Sequence, residues 1–112
     1  MRYTPKTLQR LVRQWSATAH DRELGQALHD LRAQFDRWQR GEMTAADLTD
    51  VIHQFHQGAS REIWKKYATN HLEPAIGYAV ASGILRREEL HSELLQHVAS
   101  LIDFYEAKHP TS

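Results

Sequence analysis

Leu24, Leu28, Leu31, Phe35 and Trp38 follow one another at intervals of four, three, four and three residues. That spacing gathers all five on one face of an α-helix and scatters them over both faces of a strand. Similar stripes cover the rest of the chain. Leu8, Leu11, Val12, Trp15 and Ala19 form one, and Leu48, Val51, Ile52 and Phe55 another. Ile63, Trp64, Tyr67, Ala68, His71, Leu72 and Ala75 form a third, and Leu90, Leu94, Val98, Leu101 and Tyr105 a fourth. No segment alternates apolar and polar residues as a half-buried strand does. The expected fold is therefore all-α, a compact bundle of about five helices in a single domain spanning residues 1–112. The Leu24–Trp38 seam is too short for a free-standing coiled coil, which sustains three or four heptads.

Local signals place the boundaries. Thr4 and Pro5 suit the cap and first position of a helix reaching about Ala19. A second helix is expected from about Asp21 to Arg40, closed by Gly41. Thr44, with Asp47 three residues on, resembles a capping box that opens a third helix from about Ala45 to Gln57, with Gly58 as its stop. Ser60 is the expected cap of a fourth helix, which Pro74 should kink or split by removing a hydrogen bond and crowding the carbonyl of Asn70. A fifth is expected from about Arg86 to Lys108, with Pro110 beyond it.

Composition narrows the function classes. The 112 residues carry 14 basic and 14 acidic side chains, so the formal charge is zero. A neutral chain argues against a broad basic face for nucleic acid. The absence of cysteine removes disulfides, thiol nucleophiles and cysteine-held metals. It also suits a reducing cytoplasm, as does the lack of an apolar run in the leading MRYTPKTLQR. Tyr67–Leu85 is the longest nearly uncharged stretch. Glu73, Pro74, Asn70 and His71 make it a buried helix rather than a membrane span. No glycine-rich phosphate loop, EF-hand loop or H-E-x-x-H motif occurs, so no cofactor is implied.

Four constellations remain. Asp50, His53 and His56 recur every third residue, as metal ligands on one helix face would, and the chain holds eight histidines. Leu48, Val51, Ile52 and Phe55 claim the inward face of that helix, however, so no metal site is expected. Trp64, Tyr67, His71 and Tyr78 surround Pro74 at helical spacing. Aromatic walls, an imidazole and a freed carbonyl are what a small-molecule pocket could use, with His71 as a general base. Arg2, Lys6, Arg10 and Arg13 form a basic row before the first acidic residue, Asp21, and offer an anion or partner surface. Finally, HQGAS resembles the turn of a helix-turn-helix, with Arg61, Lys65, Lys66 and Thr69 facing outward. Gln54, Trp64 and Tyr67 fit that motif poorly.

The favoured reading is a small, non-enzymatic, cytoplasmic interaction module that binds protein, above all a second copy of itself. Catalysis stays undecided. The alternatives are a ligand-binding or enzymatic pocket on the Trp64–Tyr78 stripe and a nucleic-acid regulator using the basic helix.

Overall fold

The computed structural model of the protein describes residues 5–108. All its regular elements are helical: α1 (Pro5–Gln39), α2 (Ala45–Phe55), a π-helical segment (His56–Ser60), α3 (Arg61–Tyr67), α4 (Glu73–Ala81), a 3₁₀ turn (Arg87–Glu89), α5 (Ser92–His97) and α6 (Ala99–Lys108). Among the described residues there is no strand, as the helical periodicity requires. The candidate cap Thr4 lies outside the described residues.

The two helices expected before Gly41 are one. α1 runs for 35 residues without a break, because nothing between Ala19 and Leu24 interrupts the backbone hydrogen bonds. Gly25 is tolerated inside it with open space around its Cα. At 1.5 Å per residue the helix is about 52 Å long, which accounts for most of the 58 Å long axis of the molecule. It ends at Gly41, whose φ of 78° lies in the left-handed region. There the Glu42 N–H donates to the Arg37 carbonyl at 2.9 Å and the Gly41 N–H to that of Trp38 at 3.0 Å, which closes the terminus.

One helix with two stripes has a geometric consequence. At 100° per residue, Leu8, Leu11, Val12, Trp15 and Ala19 point roughly 160° away from Leu24, Leu28, Leu31, Phe35 and Trp38. The first set packs into the main core. Leu11, Val12 and Ala19 are buried there with Ile76, Ala79, Val80, Leu85, Leu90, Leu94, Val98 and Ile102. The second set belongs to a thinner layer, where α2 and α3 run back along α1 and Leu48 and Ile63 are the buried apolar side chains. The bundle is thus compact around its core and drawn out along α1, with extents of 58 × 32 × 20 Å.

Thr44 caps α2 as expected. The Asp47 N–H donates to its hydroxyl oxygen at 3.0 Å, and the Thr44 N–H returns a bond to the Asp47 carboxylate at 3.1 Å. Those bonds hold the Asp47 carboxyl below its ordinary range. Gly58 does not stop this helix. Both flanks of the His56–Ser60 segment are right-handed helical, so α2, the π segment and α3 form one continuous rod. Ser60 accordingly makes no side-chain cap. Helix stops at Tyr67 and resumes at Glu73, with Pro74 in the first turn of α4, where its missing N–H has no helical partner to lose. The last expected helix is divided into the 3₁₀ turn, α5 and α6, although Leu90, Leu94 and Val98 of its predicted inner stripe are buried.

α4 and α6 meet closely at Gly77. A Cβ placed there would lie 2.7 Å from the Cβ of Leu101 and 3.1 Å from its carbonyl carbon. Glycine is therefore what lets the two backbones approach.

Candidate functional site

Trp64, Tyr67, His71 and Tyr78 do not surround one cavity. The break at 68–72 takes His71 off the helix that carries Trp64 and Tyr67. Trp64 stands 63% exposed beside the π segment. Together with His56, Gln57, Ser60 and Arg61 it lines an open surface depression.

Tyr67 and Tyr78 belong instead to a polar joint that ties α3 and α4 to α1. The Tyr67 hydroxyl donates to Glu23 at 2.9 Å. Lys66 Nζ donates to both oxygens of the same carboxylate at 3.0 and 2.9 Å. That ammonium lies 3.7 Å from the centre of the Tyr78 ring, and Tyr67 stacks on His20 with centroids 4.7 Å apart. Burial first, then the Glu23 carboxylate, pushes the Tyr67 hydroxyl well above its ordinary range, so it stays a donor. The Lys66 ammonium and the Tyr67 hydroxyl thus share one acceptor, the Glu23 carboxylate, which ties α3 to α1. Sequence spacing gave no sign of Glu23 and His20, which lie more than 40 residues upstream of Tyr67.

His71 is exposed in the 68–72 break, where its N–H donates to Thr69 Oγ1 at 3.2 Å. It borders a groove of about 440 Å³ lined also by Gln9, Val12, Arg13, Thr69, Asn70, Leu72 and Glu73. One member of the basic row, Arg13, therefore meets one member of the aromatic set, His71. Lys6 and Arg10 are exposed on the same side of α1. Arg2 lies outside the described residues.

Asp50, His53 and His56 are all exposed on the α2 rod. Among the described residues no group of three or more histidines and carboxylates is placed to hold a metal ion. The helix-turn-helix reading is overturned, because HQGAS is helix and the two flanking helices form one rod without a turn. Lys66, assigned outward there, is committed to Glu23.

The remaining feature is the Leu24–Trp38 seam. In this half of α1 the partly covered positions are Glu23, Leu24, Gly25, Ala27, Leu31 and Gln34. α2 and α3 therefore cover one flank of the stripe. On the other flank Leu28 is 53% and Phe35 39% exposed, Trp38 at the end of the helix is 40% exposed, and Ile52 of α2 is 40% exposed. No described helix is long and apolar enough to cross a membrane. Comparison of the chain with protein families, with curated proteins and with solved structures gave no match in any of the three.

Proposed function

We propose that the chain is a small non-enzymatic helical module, working in the cytoplasm, that binds protein and whose partner is a second copy of itself. The carrying observation is the open flank of the seam. A helix with an apolar stripe is stable when that stripe is covered, and Leu28, Phe35 and Trp38 are not. α1 and α2 form an antiparallel pair of helices, which is half of a four-helix bundle. Two such pairs related by a twofold would cover each other's open flank.

Size and charge support this occupant. The four exposed side chains leave on the order of 300 Å² of apolar surface. With a polar rim in the usual proportion, that gives about 500 Å² per partner, the size of a weak, concentration-dependent dimer. Residues 21–40 hold Asp21, Glu23, Asp30 and Asp36 against Arg22, Arg32, Arg37 and Arg40, so a twofold contact brings together two neutral surfaces.

Light scattering at high micromolar concentration tests the reading. The expected result is a dimer that becomes a monomer in the Leu28→Glu/Phe35→Glu variant, with helix content unchanged by circular dichroism. A monomeric wild-type chain would overturn it.

A further inference from the structure

We infer that the groove between α1 and the 68–72 segment is a binding site for the phosphate group of a small soluble molecule. Lys6, Gln9, Arg10 and Arg13 occupy about 100° of arc on one face of α1. Among the described residues Lys6, Arg10 and Arg13 enter no ion pair. Arg22 and Arg87, by contrast, are engaged with Glu89 and Glu106. Three uncommitted cations in two turns, with no acidic residue earlier in the chain than Asp21, set up a local positive potential on a molecule of zero net charge.

The groove supplies what a bare charge row lacks. The Gln9 amide, the Arg13 guanidinium, the Asn70 amide and the His71 imidazole are side chains able to donate hydrogen bonds along its walls. The Thr69 hydroxyl oxygen already accepts from His71 N–H, which leaves its O–H to turn outward. Arg13 offers the planar fork that suits a phosphate or carboxylate. Phosphate is favoured over carboxylate because several donors line the groove around Arg13, with Lys6 and Arg10 adding positive charge beside it on α1, more than a single negative charge would use. Glu73, the one acidic wall residue, lies 3.5 Å from His97 Nε2, so its carboxylate has a partner to turn towards. The volume of about 440 Å³ is that of a small-molecule cleft. A polynucleotide fits less well, since the row spans only about 10 Å of helix.

Nuclear magnetic resonance of the full chain with inorganic phosphate and glycerol phosphate is the test. Amide shifts confined to Gln9–Arg13 and Thr69–Leu72 should appear and saturate. Chloride at equal ionic strength should not reproduce them. Arg13→Gln should weaken the apparent affinity about tenfold, and a well-dispersed spectrum would show that the variant is folded. Non-saturating shifts, shifts matched by chloride, or an unchanged affinity in folded Arg13→Gln would each overturn the inference. Retention on phosphatidic-acid vesicles, or on a single-stranded oligonucleotide, without any response to the two soluble phosphates would overturn it as well.

Discussion

Tyr67 and Lys66, neighbours in sequence, both donate to the Glu23 carboxylate, at 2.9 Å from the hydroxyl and at 3.0 and 2.9 Å from the ammonium. One acceptor on α1 therefore holds α3 in place. Glu23→Ala leaves a half-buried ammonium and a half-buried hydroxyl without their acceptor, and should cost about 1–3 kcal/mol in urea unfolding. Glu23→Gln keeps an oxygen for Tyr67 and should cost less. Tyr67→Phe, which removes a single donor, should cost about 1 kcal/mol. If Glu23→Ala unfolds at the wild-type midpoint, the joint does not hold α3.

Gly77 is the second test of the fold. Gly77→Ala would gain helix propensity within α4 but place its Cβ against the Leu101 backbone. Backbone cannot move aside as a flexible side-chain end can, so α4 and α6 must separate. A net loss of roughly 1–3 kcal/mol is expected from overpacking. A gain in stability would mean that the two helices slide apart without cost.

The loop after α4 is fastened by Arg22. Its guanidinium donates to Glu89 at 2.9 and 2.7 Å and to the Ile84 carbonyl at 3.0 Å. Those bonds, with the Arg86 N–H, lower the Glu89 carboxyl to about 2. The unfolded chain takes up this proton near the ordinary value of 4.5, before the native chain does. The contribution is thus fully present above about 4.5 and is lost as the pH falls towards 2. Unfolding midpoints measured down that range should decline less steeply in Arg22→Gln than in the wild type.

Thr44→Ala removes the hydroxyl that accepts from Asp47 N–H. About 1 kcal/mol should be lost, the usual cost of an N-cap. Thr44→Ser should retain nearly all of it. Equal losses in the two variants would mean that the hydroxyl is not the source of the stability.

Features set by short-range physics were readable in the sequence. The helical spacing, the Thr44–Asp47 cap and the stop at Gly41 each depend on residues within a turn or two. Leu48, Leu90, Leu94 and Val98 were legible as core because their stripes allow no other inward face. Continuity was harder to read. Nothing local distinguishes a helix that ends near Ala19 from one that changes its apolar side and goes on. Gly58 carries the same residue type as Gly41, yet it stays right-handed inside the rod. The pairing of Arg13 with His71 depends on how α3 returns along α1, which spans 58 residues of sequence and has no local signature. Glu23 was invisible for the same reason, since its partners are set by the fold.

The unbroken α1 makes its residue count a rigid constraint. The phase between its two stripes is fixed by the number of residues between Ala19 and Leu24, and each residue contributes about 100° of rotation. Deleting a single residue there would leave both stripes intact as sequences. It would nevertheless swing Leu28, Phe35 and Trp38 a quarter-turn or more around the axis, relative to the end held by Leu11 and Val12. The chain can accept many substitutions along this stretch, but it has no slack in length.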